Sequence, residues 1–176
     1  LDRILQMERF DGGVKIDSIV DDRGAVLKKR VVDTMMKVVL PSPLKPGQKF
    51  TYRIAWHYRL NDSERLWGRS GFEKYKDGNK IFEIAQWFPR VAAYTDMRGW
   101  QNKAFLGRGE FALEFGNYRV AITVPDDHVV SATGVLKNPE QCLKKSWRER
   151  LKTAGNASKP MFIITPEEAK KNESSR

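Results

Sequence analysis

Short runs of alternating apolar and polar residues, each closed by a turn signal, constrain the fold of this chain more than any other feature. Residues 14–20 alternate cleanly, and residues 21–24 supply a turn signal before a second run at residues 25–28. Alternation with a period of two puts one face of a strand in a core and the other face in water. The pattern therefore predicts a β-hairpin at this point.

Six further segments have strand character because they are rich in β-branched and aromatic residues. Pro41, Pro43 and Pro46 cannot donate to a strand ladder, so one strand must end before them. Gly116 and Asn117 suit a tight turn between two of the segments. The predicted strands cover residues 33–40, 49–58, 109–115, 118–124, 128–133 and 159–165.

The composition changes after about residue 136, where a helix is predicted over residues 139–153. Asn138 is a suitable N-cap, Pro139 suits the first helical position, and Gly155 suits the end of the helix. The apolar side chains of this helix form one stripe, which consists of Leu143, Trp147 and Leu151. The sequence thus predicts an all-β domain over residues 1–165, with one or two short helices near its C-terminal end and a flexible tail at residues 166–176.

Length and composition allow a domain with a real core, since the chain has 176 residues and 40% of them are hydrophobic. No run approaches the roughly 20 apolar residues that a membrane-spanning helix needs, so no membrane span is expected. The opening Leu1 indicates a processed or excised protein. Cys142 is the single cysteine, which excludes an internal disulfide and leaves the compartment open. For a larger parent protein we expect a periplasmic or secreted location, on grounds other than the cysteine count.

The formal charge of +10 raises the question of a nucleic-acid partner. Half of this excess lies in residues 137–176, which hold 10 basic and 5 acidic side chains. Nucleic-acid modules place basic side chains beside stacking rings, whereas the aromatic-rich segment of this chain is nearly neutral. Scattered positive charge is usually solvated surface, so no nucleic-acid partner is predicted.

The sequence contains no complete catalytic motif. His57 and His128 lie 71 positions apart without an HExxH pattern or a cysteine partner, so ordinary strand positions are the simpler interpretation. Glu110 and Glu114 share one face of a predicted strand, where an acid and base pair is one interpretation and a solvent-facing strand edge is the commoner one. We therefore predict no catalytic residues and no metal in this chain.

Residues 81–105, IFEIAQWFPRVAAYTDMRGWQNKAF, place many aromatic rings beside few charges. Burial in an ordinary core is one explanation. The other is a wall of an active site completed by a second domain, because pockets are mostly apolar with a few placed polar groups. Gln86 suits such a role since its amide offers a donor and an acceptor without a charge. Both explanations stay open for the remaining residues of the predicted pocket or domain interface, which are Trp87, Pro89, Arg90, Tyr94, Asp96 and Trp100.

Three motifs follow one another in an order that resembles the N-terminal β domain of the M1 family of zinc aminopeptidases. They are PLKPGQKFTYRIAW, GRSGFEKYKDGNKIFEIAQWFPRVAAYTDMRGWQNKAF and GEFALEFGNYRVAITVPDDHVVSATGVLKNP, and the resemblance covers roughly residues 13–139. It implies a saddle-like, largely antiparallel β-sandwich that packs against a thermolysin-like catalytic domain of the same polypeptide. The zinc ligands of the family, an HExxH motif and a downstream glutamate, belong to that catalytic domain and are absent from this sequence.

The resemblance also implies a role for Gln86. In the family, this domain contributes a glutamine or glutamate to the pocket for the amino end of a peptide substrate, from a stretch that leads into a proline-and-acid motif. Gln86 in the stretch QWFPR, followed by Asp96, is the matching part of this sequence. The letters MRG replace the usual Glu-Pro of the motif and its cysteine is absent, which indicates a divergent, bacterial-type branch of the family.

The resemblance thus implies a non-catalytic domain of a zinc metallopeptidase, with the zinc held elsewhere in the parent enzyme and no activity in this chain alone. A freestanding β-sandwich module that binds carbohydrate or protein on an exposed aromatic platform is the alternative, because a fold does not fix a function. A reading frame that continues into an HExxH motif would favour the enzyme, and a stop codon would favour the module.

Overall fold

The computed structural model of the chain describes residues 9–66, 68–105 and 112–173. The chain divides into two compact units, one that ends at Gly116 and one that begins at Asn117. The described strands lie in the first unit: β1 (Lys15–Asp21), β2 (Lys28–Val32), β3 (Met35–Val39), β4 (Tyr52–His57), β5 (Gly71–Lys74), β6 (Lys80–Glu83), β7 (Tyr94–Thr95) and β8 (Gly99–Trp100). The second unit contains the helices α1 (Pro139–Cys142), α2 (Lys145–Ala154) and α3 (Pro166–Glu173).

β1 and β4 form an antiparallel pair that carries much of the buried core of the first unit. Ile19 lies opposite Ile54 and is 2% exposed, and Leu27 is 4% exposed. The Leu27 N–H donates to the Ile19 carbonyl at 3.0 Å, which holds the two buried side chains on neighbouring segments. Burial of such aliphatic side chains contributes about 1.5–3 kcal/mol each. The ladder contains a bulge at Asp17, which has no partner on β4.

The turn after β1 forms as the sequence predicts. Asp21 Oδ1 accepts hydrogen bonds from the N–H groups of Arg23 at 3.0 Å and Ala25 at 2.8 Å, which is how an aspartate fixes a tight turn. Val20 and Val26 then pair across the turn. The predicted hairpin is therefore confirmed next to the turn, after which the chain leaves β1 and β2 pairs with β3.

Three hairpins complete the described sheets: β2 with β3, β5 with β6, and β7 with β8. Each reversal contains or adjoins a residue with a positive φ angle, namely Asp33 at 49° and Gly78 at 92° in two of the turns and Gly99 at 67° at the start of β8. Glycine and aspartate enter this left-handed region more readily than most residues, so the turn chemistry determines where the chain reverses. The predicted strands at residues 33–40 and 49–58 are confirmed as β3 and β4.

The fold is β-rich with antiparallel strand pairs and a few short helices near the C-terminal end, as predicted, while the saddle-like sandwich stays a prediction. The strands predicted at residues 118–124, 128–133 and 159–165 are wrong, because these described residues pair with no strand. Of the segment 109–115, residues 109–111 lie outside the described residues, and Leu113 forms only an isolated bridge with Ala92. A segment of alternating apolar and polar residues is suited to a strand. It forms one only where it can pair with the edge of another strand.

The predicted C-terminal helix is divided into α1 and α2. Leu143 separates them with an extended backbone, φ −122° and ψ 140°. Gly155 ends α2 as predicted, and Trp147, 6% exposed, is its buried residue. Asn138 occupies the N-cap position of α1, but its side-chain amide donates to Gln141 Oε1 at 3.0 Å, and no cap hydrogen bond forms.

Helix α3 lies where the sequence indicated a tail, and it begins with a capping box. The Thr165 N–H donates to Glu168 Oε2 at 3.0 Å, and the Glu168 N–H donates to Thr165 Oγ1 at 3.3 Å. Arg150 of α2 donates to both carboxylate oxygens of Glu168, at 2.5 and 2.9 Å, and to the Ile163 carbonyl at 2.9 Å. The guanidinium, together with the Thr165 N–H, lowers the pKa of Glu168 to about 2.

Candidate functional site

The segment between β6 and β7 carries the aromatic residues that the sequence singled out. The centroid of the Trp87 ring lies 4.8 Å from that of Phe88 and 6.2 Å from that of Trp56 on β4. All three side chains are half-buried. Tilted ring pairs at these distances attract each other beyond their burial. These rings, which we call the Trp87 cluster, therefore fix the segment to β4.

Gln86, next to this cluster, has a left-handed backbone with φ 51°. Asp33 in a hairpin turn is the other described non-glycine residue with a positive φ. The left-handed region costs an L-residue roughly 1–2 kcal/mol, so the surrounding contacts must hold Gln86 in place.

Two hydrogen-bonded clamps hold the backbone on either side of Gln86. The Ser70 hydroxyl, just before β5, donates to the Ala85 carbonyl at 2.8 Å and accepts from the Ala85 N–H at 2.8 Å. The indole N–H of Trp56 donates to the Trp87 carbonyl at 3.1 Å. Ala85 is thus attached to the residue that precedes β5, and Trp87 is attached to β4. These two attachments account for the strained backbone of Gln86.

The side chain of Gln86 is exposed and has no hydrogen-bond partner among the described residues. Its amide therefore keeps two N–H donors and a carbonyl acceptor for a ligand. A polar group that is rigidly placed at its backbone and open at its tip is suited to orienting a bound molecule, because little order has to be gained on binding.

Arg90 extends the site from the Trp87 cluster toward residues 112–116. Its guanidinium lies 5.8 Å from the centroid of the Phe88 ring, and Nη2 donates to the Glu114 carbonyl at 3.3 Å. Pro89 between them is half-buried. Glu110 lies outside the described residues. The interpretation of Glu110 and Glu114 as an acid and base pair therefore stays a prediction.

Tyr94, Asp96 and Trp100 belong to the β7–β8 hairpin. The rings of Tyr94 and Trp100 meet edge to face with centroids 5.3 Å apart, and they are 58% and 57% exposed. Asp96 is exposed in the turn between the strands. No hydrogen bond or ring contact among the described residues joins these three side chains to Gln86. The residues grouped by the sequence thus form two clusters, one around Gln86 and one on the hairpin.

Ser70 and the indole of Trp56 are positioning residues that the sequence analysis did not identify. Ser70 lies in the stretch GRSG, which reads as a turn, and a serine hydroxyl in a turn usually bonds to the local backbone. A signal was available for Trp56, because a half-buried indole N–H needs an acceptor. The identity of the acceptor, 31 residues away, depends on the fold.

His57 on β4 and Asp17 on β1 form a histidine and aspartate pair. Their Nδ1 and Oδ1 atoms are 2.8 Å apart, and the two side chains are 67% and 49% exposed. No described serine, threonine or cysteine side chain hydrogen-bonds to His57, so the pair lacks the nucleophile of a catalytic triad. Both side chains are exposed to solvent, so their contact contributes little to stability.

The described residues contain no group of three or more His, Cys, Asp or Glu side chains that is suited to a metal ion. None of the described helices has the length and apolar character needed to cross a bilayer. Comparison of the chain with protein-family models, with curated proteins and with solved structures found no match. The functional interpretation therefore depends on the residues described above.

Proposed function

We propose that this chain is the non-catalytic N-terminal domain of a zinc-dependent, M1-like aminopeptidase. The proposal is supported by the order of the three sequence motifs and by the β-rich, antiparallel character of the first unit. Zinc is held by the catalytic domain of the parent enzyme, which supplies the chemistry of peptide hydrolysis. The chain alone carries no HExxH motif, so we expect it to bind no stoichiometric zinc and to hydrolyse no substrate.

Gln86 is the substrate-binding residue in this proposal, and its geometry is the observation that carries it. A left-handed backbone held by the Ser70 and Trp56 clamps, with an exposed and unpaired amide, is expected of a binding residue more than of a core residue. A buried glutamine would use its amide inside the fold. The side-chain carbonyl of Gln86 would accept a hydrogen bond from the protonated amine of the peptide.

Trp87, Pro89 and Arg90 would form the wall beside this amine, and the exposed pair Tyr94 and Trp100 would face the catalytic domain. Exposed aromatic surface is commonly covered by a neighbouring domain, and interfaces within a chain bury about 600–1,500 Å². Asp96, in the turn of the same hairpin, would belong to the polar rim of that interface.

The proposal is tested by Gln86→Ala in the parent enzyme. A hydrogen bond to a charged amine is worth on the order of 1.5–3 kcal/mol, so kcat/KM should fall roughly ten- to a hundredfold. The melting temperature should hardly change, because no partner inside the described fold is lost. Gln48→Ala is the matched control, since the Gln48 side chain is also exposed and makes one local hydrogen bond, from the Lys45 N–H to Oε1 at 2.9 Å. The kcat/KM of this variant should stay at the parent value.

A lowered melting temperature with unchanged kcat/KM for Gln86→Ala would assign Gln86 a structural role. Gln86→Asn is a useful second variant because asparagine tolerates a left-handed backbone but has a shorter side chain. It should keep the fold and lose activity nearly as much as the alanine variant.

The alternative, a freestanding module that binds carbohydrate or protein, is favoured by one observation. Tyr94 and Trp100 present two adjacent exposed rings on a short hairpin, which is the arrangement of a ligand platform. In that case Trp100→Ala would abolish ligand binding and Gln86→Ala would not. The reading frame beyond residue 176 provides an independent test through the presence or absence of an HExxH motif.

A further inference from the structure

The β2–β3 hairpin presents an exposed face that carries three cations. Residues directly opposite each other in an antiparallel pair lie on the same face, so Lys28, Arg30 and Lys37 share one face with Val32 and Val39. All five side chains are exposed. Arg30 lies directly opposite Lys37, and like charges in that arrangement destabilise a sheet. An anion bound on this face would remove the repulsion.

The three cations are not neutralised within the described part of the chain. Lys28, Arg30 and Lys37 form no ion pair with any described residue. Lys29, on the opposite face of β2, instead donates to the Ile16 carbonyl at 3.5 Å. The two faces of the β2–β3 hairpin therefore differ, and the face with three cations is open to a partner.

The outer edge of β2 is also open among the described elements. β2 pairs with β3 and with no other described strand, although the Lys29 side chain reaches the Ile16 carbonyl of β1. The turn end of the hairpin is fixed, because Thr34 Oγ1 accepts the Phe105 N–H at 2.8 Å. A fixed edge with unpaired backbone N–H and C=O groups is a template for an added strand.

We propose that the outer edge of β2 binds an extended acidic peptide segment, which adds as a third strand with carboxylates beside Lys28 and Arg30. Same-face side chains repeat every two residues in each strand, about 6.6–6.8 Å, so acids at alternate positions match the two cations in register. Main-chain hydrogen bonds provide affinity, and the charged pairs select the sequence. The inference does not depend on the aminopeptidase proposal.

The structure favours a peptide over the other anionic partners. A hairpin that inserts into a membrane needs an apolar tip, whereas this tip consists of Asp33 and Thr34, and Thr34 is already bonded. Stacking rings, which single-stranded nucleic acids use, are absent from β2 and β3. Basic edge residues also discourage pairing with ordinary apolar strands, so Lys28 and Arg30 act as a filter for acidic ones.

The test measures binding of a fluorescent peptide of alternating Glu and Thr to the 176-residue chain by anisotropy at physiological salt. We expect Arg30→Glu to weaken binding about tenfold and Lys29→Glu, an equal change of charge on the opposite face, to weaken it less than about twofold. A peptide with the same number of glutamates at every third position should bind about tenfold more weakly, because neighbouring acids then fall on opposite faces of the added strand. Two further peptides carry N-methyl groups on one or the other set of alternate amides, and the set whose N–H groups face β2 should abolish binding when it is methylated.

Equal binding of the alternating peptide and the peptide with glutamates at every third position, or unchanged binding of both N-methylated peptides, would overturn strand addition. If Arg30→Glu and Lys29→Glu weakened peptide binding equally, the binding would be a general attraction between the basic chain and any anion. Tighter binding of an oligonucleotide or of anionic vesicles than of the peptide would also contradict the proposal. The peptide comparisons use the unaltered chain, so they decide the question even where a variant does not fold.

Discussion

Gly71 helps to position the Gln86 site, because it follows Ser70, whose hydroxyl holds the backbone of Ala85. A Cβ atom added to Gly71 would lie 2.5 Å from Ser63 Oγ and 2.8 Å from the Asn61 carbonyl oxygen. The segment around Asn61 is attached to β5 by two hydrogen bonds, since the Phe72 N–H donates to the Asn61 carbonyl and the Ser63 N–H to the Phe72 carbonyl. Glycine is therefore required where two backbones approach.

Gly71→Ala should destabilise the first unit by about 1–3 kcal/mol, because the backbone must move to remove the overlap. Gly68→Ala is the matched control: its added Cβ would be 3.4 Å or more from every described heavy atom, an ordinary contact. That variant should change the free energy of unfolding by less than about 0.5 kcal/mol. Urea unfolding of both variants measures the difference, and equal midpoints would contradict the explanation.

At this scale the sequence could identify residue types but not their conformations. Gln86 could be identified because its amide directly precedes the rings of Trp87 and Phe88, whereas its left-handed φ results from clamps by Ser70 and Trp56. The contacts of Ser70 with Ala85 span 15 residues and depend on how β5 and β6 pair. Sequence spacing alone does not contain that information.

At the scale of elements, local signals predicted turns well and strand partners poorly. The turn at Asp21 was predictable because its side chain bonds only to its neighbours. The pairing of β1 with β4 was not, because the two strands are separated by the whole β2–β3 hairpin. The start of α3 was predictable from the sequence. Thr165 and Glu168 form a capping box, and Pro166 occupies the first helical position.

The contact between α2 and α3 should make the second unit sensitive to acid. The pKa of Glu168 is about 2 in the folded chain against an ordinary 4.5, mainly because of its hydrogen bonds to Arg150. A lowered folded pKa means that this stabilisation is complete above about pH 4.5 and is lost as the pH falls toward about 2. The melting temperature, followed by helical circular dichroism, should drop over this range.

Glu168→Gln separates this effect from general acid denaturation. The variant should melt below the parent chain at a pH of about 6, and the difference should shrink as the pH approaches about 2. Glu149→Gln on α2 is the control, because Glu149 is exposed and its side chain forms no ion pair with a described residue. A constant difference between the Glu168→Gln variant and the parent at all pH values would show that the carboxylate charge is not responsible.

At the scale of the whole molecule, apolar side chains remain exposed in both units. In the second unit the segment at residues 118–124 alternates as a strand would, with Tyr118 59%, Val120 51% and Ile122 53% exposed. This segment was predicted as a strand but has no partner edge among the described strands. A strand-forming segment that pairs with no described strand tends to pair with another chain.

We therefore expect the isolated chain to self-associate, and the segment at residues 118–124 to contribute to the contact. Ile122→Lys places a charge on the alternating apolar face and should shift sedimentation velocity profiles toward the monomer at equal concentration. Thr123→Lys adds the same charge at the next position, which points to the other side of an extended segment, and should have a smaller effect. Equal effects of the two variants would assign the association to net charge, and a chain that is monomeric at every concentration would contradict the expectation, because it would mean that these exposed side chains do not drive contact between copies.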